Sequence, residues 1–259
     1  LKGLSLKNGK DNVSSTSDGG GIKVSSSGSV LLEYLDINNN QSNGNGGGVF
    51  VEENSVVTIN NCKVHHNTAD VDGGGLWIRS GDVIIQNTLI YDNYAEIDAG
   101  GIKVDGDELI IINSTITGNS GSSGAAIFIE IPDSILLVNN IFYNNGDDGL
   151  HLSDYPQPIS GKIVAFNNYF SEVDGSGSLF ISRGSNNIFS NTDPFNILSD
   201  ADAALMENAS NYTLIDYSSA IGSGIDTVTF NGSTYIAPLT DYNGDVRPQP
   251  VGSNPDMGA

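Results

Sequence analysis

The chain has 259 residues, with 10 Lys plus Arg against 31 Asp plus Glu and a formal net charge of −21. That balance excludes nucleic acid and an anionic membrane surface as main partners, because phosphate binding needs a basic stripe. The single cysteine, Cys62, excludes a disulfide framework and a cysteine-rich zinc module, and no apolar run is long enough to span a membrane as a helix.

In chain order, the first element is a run of small residues followed by an apolar residue, and it recurs. It appears as Gly19-Gly20-Gly21-Ile22, Gly46-Gly47-Gly48-Val49, Gly73-Gly74-Gly75-Leu76, Ala99-Gly100-Gly101-Ile102 and Gly124-Ala125-Ala126-Ile127, with a shortened copy at Gly149-Leu150. A second column keeps the same register: Ile37, Val64, Ile90, Ile116 and Phe142 are each followed three residues later by Asn40, Asn67, Asn93, Asn119 and Asn145. Each copy holds three short apolar pairs of period two, for example Val49/Val51, Val57/Ile59 and Cys62/Val64. Three short strands per copy without helical periodicity make each copy one coil of a stack. Coils stacked at about 4.8 Å pair every strand with its equivalents above and below. The predicted fold is therefore all-β, a parallel β-helix of three parallel sheets and about seven coils over residues 1–191. Residues 192–259 do not repeat and are expected to cap the stack, to cover one sheet, or both.

Asn61, Asn87, Asn113, Asn139 and Asn167 mark the corner between the second and third strands. Asn tolerates the left-handed backbone a corner needs, and stacked amides can bond along such a column. On the second strand the outward column is Leu31, Thr58, Ile84, Ile110, Leu136 and Val164. A strand apolar on both faces must be covered. The cover is either the 192–259 segment or a neighbouring domain or subunit.

The pairing of Gly-Gly-Gly-Ile runs with endings such as Phe142-Tyr143-Asn144-Asn145 and Ile90-Tyr91-Asp92-Asn93 resembles the repeats of chlamydial polymorphic membrane proteins and related secreted bacterial right-handed β-helix proteins. The later segments Asn211-Tyr212-Thr213-Leu214, Ser219 to Gly224, Asp241 to Pro248 and Asp256-Met257-Gly258-Ala259 resemble the C-terminal region of anchored surface β-helix proteins. The resemblance implies right-handed winding, export and an extracellular or bacterial cell-surface location. It does not single out an activity, since such folds serve adhesins, passenger domains and polysaccharide-active enzymes.

Function is sought on the first strand, whose outward column is Lys23, Phe50, Trp77, Lys103, Phe128 and His151, with Ser25, Glu52, Arg79, Asp105, Glu130 and Ser153 beside it. Rings alternate with charges on what should be an open face. Sugars stack on aromatic faces and are fixed by charged groups, so Phe50, Trp77, Arg79, Lys103, Phe128 and His151 form a candidate carbohydrate strip. The competing reading is a surface ladder in which Glu52, Arg79 and Asp105 pair across strands, at about 0.2–1 kcal/mol per pair.

A lyase on this face would draw its base from Arg79, Lys103 and His151. A hydrolase would need paired acids, and Asp147-Asp148 fall where other copies place turns. His65 and His66 should point to opposite sides of their strand and share no metal. Asp18, Asn45, Asp72 and Asp98 precede the small-residue runs as turn caps rather than ligands. Asp241-x-Asn243-Gly244-Asp245 alternates like a calcium loop without the later bidentate Glu. No motif requires a cofactor, and calcium at Asp241, Asn243 and Asp245 is the one cation the sequence suggests. The leading expectation is a surface module that binds a polysaccharide or cell-surface glycan, or acts in adhesion. A polysaccharide-active enzyme, lyase before hydrolase, is the alternative, and a passive spacer or assembly unit the third. Neither nucleic-acid binding nor membrane insertion is expected.

Overall fold

The computed structural model describes residues 1–11, 18–105, 107–130, 134–146, 150–152, 162–170, 187–189, 222–247 and 253–258. Asp147, Asp148, Ser153 and the segment Asn211–Leu214, singled out above, lie outside the described residues. Every described coil is built from the three short strands the apolar pairs predict. The first sheet stacks Ile22–Val24, Val49–Val51, Leu76–Ile78, Ile102–Val104, Ile127–Ile129 and Leu150–Leu152. The second stacks Ser29–Glu33, Ser55–Asn60, Gly81–Gln86, Glu108–Ile112, Ser134–Val138 and Lys162–Phe166. The third has eight strands, from Ser5–Lys7 through Lys63–His65 and Leu89–Tyr91 to Ile188–Phe189. All three are parallel and in register, so equivalent residues of successive coils lie one rung apart.

A fourth, narrow ladder accompanies them: Lys10–Asp11, Gln41–Ser42, Thr68–Ala69 and Tyr94–Ala95 pair in parallel at the corner after the third sheet. Two-residue strands are too short to show a period. The small-residue runs close the next corner. Gly73 has φ of 66°, and a Cβ on Gly74 would overlap the Tyr94 and Gly100 carbonyl oxygens, so only glycine fits there.

The core is the inward set of the three sheets, with Val49, Val51, Leu76, Ile78, Ile85, Ile90, Ile111 and Ile116 among its fully buried members. One wall of it is polar. Asn40, Asn67, Asn93, Asn119 and Asn145 form a buried ladder in which each Nδ2 donates to the next Oδ1 at 2.9–3.0 Å. Each Oδ1 from Asn67 onward also accepts the backbone N–H of the Asn one coil earlier. The amides thereby satisfy backbone groups that burial would otherwise orphan.

The second asparagine column has another role. Asn61, Asn87, Asn113, Asn139 and Asn167 do take positive φ, between 46° and 56°. Their side chains turn outward, and only Asn139 bonds along the column, to Asn113 at 3.1 Å. Four of the five clamp the C-terminal segment: Asn87 donates to the Thr240 carbonyl at 3.1 Å, Asn113 to that of Asp256 at 2.8 Å, Asn139 to that of Ile225 at 2.8 Å and Asn167 to that of Ser223 at 2.7 Å. An antiparallel hairpin, Thr227–Phe230 with Ser233–Ile236, then lies on the apolar outer face of the second sheet. Phe230 is buried against Ile110, Ile112, Leu136 and Val138, with Ile84, Val164 and Val228 at the margin. The chain's own segment covers these coils. Below them the face is open, with Leu31 and Val56 each 49% exposed.

The Asp241–Arg247 and Asp256–Gly258 stretches pack over the third sheet. Arg247 is buried and donates from Nη2 to the Gly258 carbonyl at 2.7 Å, while Gly258 N donates to the Asn139 carbonyl at 2.7 Å. Burial lowers the Arg247 pKa to about 10, which leaves the guanidinium charged at neutral pH.

Candidate functional site: the outer face of the first sheet

Parallel in-register pairing places Lys23, Phe50, Trp77, Lys103, Phe128 and His151 on consecutive rungs of one column. Five steps at about 4.8 Å make a row about 24 Å long. The side chains stack along it. Lys23 Nζ lies 5.1 Å from the Phe50 ring centre and 2.9 Å from Glu52 Oε1. Phe50 meets Trp77 at 5.0 Å with the rings tilted by 43°, and Phe128 stacks on His151 at 4.7 Å and 21°. Between these pairs stands Lys103, its Nζ 3.8 Å from the Phe128 ring centre.

The face is less open than alternation suggests. Phe50 is fully buried, Lys103 is 3% exposed and Phe128 8% exposed, although all three sit in the outward column. Lys103 is enclosed by carboxylates from four places: Glu130 at 3.2 Å, Asp98 at 3.6 Å, Asp72 at 3.9 Å and Asp105 at 4.0 Å. Asp105 Oδ2 also accepts from Trp77 Nε1 at 3.0 Å. Burial pushes the Asp105 carboxyl up to about 6 against the pull of the Lys103 cation and the Trp77 hydrogen bond. Burial raises Asp72 as well, whereas the Lys23 contact holds Glu52 below the usual carboxylate range. The Glu52–Arg79–Asp105 ladder does not form as an ion-pair series. Arg79 pairs with Glu53 at 3.7 Å, Glu52 turns to Lys23, and Asp105 joins the Lys103 cage.

Of the residues expected in the strip, Trp77, Arg79 and His151 present accessible surface, while Phe50, Lys103 and Phe128 support them from beneath. The three basic candidates do not converge. Lys103 is committed to carboxylates, and His151 stands two rungs away, about 10 Å. The acids that hold Lys103 were the missed part of this site: Asp72 and Asp98 belong to the corners preceding the small-residue runs. Their bonds run from coil to coil instead of within one turn: Asp72 Oδ1 accepts from Asp98 N at 3.0 Å and Asp18 Oδ1 from Asn45 N at 3.0 Å.

Two further expectations concern other faces. Asp241 Oδ1 accepts from Asp245 N at 2.8 Å within a tight turn, and Asn243 and Asp245 are exposed. Among the described residues no three His, Cys, Asp or Glu side chains come together to hold a metal. His65 and His66 do not point apart as expected. His66 leaves the strand with φ of 53°, which swings its ring back until the two Nδ1 atoms are 2.7 Å apart. Among the described residues no helix is long and apolar enough to cross a membrane.

The family model described as right handed beta helix region matches residues 47–217. No curated protein and no solved structure matches the chain.

Proposed function

Because the chain belongs to the right-handed β-helix family, we propose that it is a glycan-binding module displayed on a bacterial cell surface, with the binding strip on the outer face of the first sheet. The observation that carries this reading is Trp77: a partly exposed indole fixed on a buried Phe50 ring and by its bond to Asp105. A sugar ring presents C–H groups to such a face and hydroxyls to its edges, where Arg79, Glu130 and His151 stand along the same sheet. Holding the indole in place before binding removes part of the ordering cost. Lys23, Arg79 and Lys103 are each matched to carboxylates, so none of these three is spare for an acidic polymer, and the net charge of −21 repels one. The ligand is therefore a neutral polysaccharide. The repeat and tail motifs that resemble polymorphic membrane proteins and anchored β-helix proteins support surface display.

The test is depletion of the protein by a panel of insoluble neutral and acidic polysaccharides, with calcium and with chelator, while new reducing ends and unsaturated products are followed. One neutral polysaccharide should remove the protein without any product, and Trp77→Ala should weaken that binding at least tenfold. Product formation would make the chain an enzyme, and unchanged binding by Trp77→Ala would move the site off this sheet.

A further inference from the structure

The third sheet carries an imidazole pair that the glycan strip does not use. His65 ends its strand, and its Nε2 lies 2.8 Å from Asp36 Oδ1, itself held by Asn38 Nδ2 at 2.9 Å. The Tyr91 ring lies parallel to His65, 4.5 Å away and inclined by 5°. His66 Nε2 faces Asp92 Oδ2 at 3.8 Å, one rung on, and the His66 side chain is 52% exposed. Each ring thus turns Nε2 to a carboxylate and Nδ1 to the other ring, with the Nδ1 atoms 2.7 Å apart. As neutral rings, only one Nδ1 can carry a proton in that gap.

We propose that His65 and His66 form a two-imidazole site, through both Nδ1 atoms, for a divalent transition metal of the copper(II) or nickel(II) class. Metal-ligating histidines characteristically donate their other N–H to a carboxylate, which fixes the tautomer and frees the coordinating nitrogen. Asp36 already does this for His65. When the ion takes the place of the Nδ1 proton, that proton moves to His66 Nε2, where Asp92 receives its hydrogen bond, and a neutral pair neither gains nor loses a proton. Two nitrogens at about 2.0–2.1 Å from an ion and at right angles to each other lie about 2.9 Å apart, whereas tetrahedral ligands lie about 3.3 Å apart. The 2.7 Å separation is nearer the first, hence the square-planar ions rather than zinc. His65 is clamped by Asp36 and Tyr91, so the half-exposed His66 is the ring that turns to aim its lone pair. No third side chain of the described residues joins the pair, which leaves the other positions to water or a small oxygen ligand. Such a site is open and exchangeable.

The full chain should be titrated with copper(II) chloride at pH 7.5 against glycine as a weak competitor, and followed by calorimetry and by electron paramagnetic resonance. The expected result is one ion per chain with hyperfine coupling to two imidazole nitrogens. His65→Ala and His66→Ala should each weaken binding at least tenfold and remove one coupling. Asp36→Asn should weaken it about ten- to a hundredfold through the tautomer of His65, and His151→Ala, on the first sheet, should leave copper binding unchanged. His66 is exposed but sits at φ of 53°, so His66→Asn, which tolerates that backbone, should melt with the parent and separate lost ligation from lost fold. Copper retained equally by the variants, or not retained against glycine by the parent, would show the pair to be a hydrogen-bonded dyad only.

Discussion

The first and second sheets run through the same coils on the same parallel backbone, yet their outer faces are finished in opposite ways. On the second sheet, Ile84, Ile110 and Leu136 follow one another, and a separate hairpin bearing Phe230 is laid over them. On the first, Trp77, Lys103 and Phe128 occupy the same three coils, and the column covers itself. Aliphatic side chains have no directional partner, so they lose water only beneath a second layer. A lysine stem lies along apolar neighbours while its ammonium collects carboxylates from adjacent corners. The self-covered face keeps an accessible edge. That is why the proposed binding strip is placed on the first sheet, while the hairpin of the C-terminal segment lies on the second.

The largest way to break this arrangement is Lys103→Ala. It strands four carboxylates around an emptied site, and removing one partner of a buried charge cluster costs about 3–5 kcal/mol. The loss should be large at pH 7 and smaller near pH 4.5, where Asp105, pushed up by burial to about 6, is protonated, with Asp72 shifted in the same direction. Denaturant unfolding at the two pH values reads it. Phe230→Ala attacks the other face and should cost about 3 kcal/mol of hairpin docking, equally at both pH values because the contact is apolar. Increased dye binding to exposed apolar surface, without loss of the strand signal in circular dichroism, is its expected signature. Asn139→Ala releases the same hairpin from its other end. It removes the bonds to Ile225 N and O and places a Cβ-bearing residue without Asn's local compensation at φ of 56°, for about 2 kcal/mol. Asn139→Gly should recover only the backbone part, and limited proteolysis between residues 222 and 247 would rank the three proteins.

The stacking was legible in the sequence because period two inside a coil and the coil repeat itself are both local patterns. The outward column of the first sheet followed from alternation alone. The Lys103 cage did not, because Asp72 and Asp98 reach it from corners whose sequence role is turn capping. Likewise Asn61 to Asn167 announced a left-handed corner but not a clamp, since the strap lies between 56 and 153 residues further on for the four that donate to it. The His65–His66 pair was hidden by the rule that neighbours on a strand diverge. One residue in the left-handed region ends the strand and suspends the rule.

The smallest effect is also the one that separates the two faces most cleanly. Burial raises the Asp105 carboxyl to about 6, above its ordinary value near 4. The folded state therefore holds that proton more tightly than the unfolded chain. The stabilisation is complete below about pH 4 and is lost as the pH rises through about 6. Asp72, also raised by burial, adds to the same trend. Asp105→Asn keeps an oxygen for Trp77 Nε1 but removes the titration, so its melting temperature should gain on the parent's between pH 4 and pH 7. Phe230→Ala should run parallel to the parent over the same interval, because nothing it touches changes charge there. Parallel curves for Asp105→Asn as well would mean that the first sheet does not hold its cover by a strained carboxylate cage.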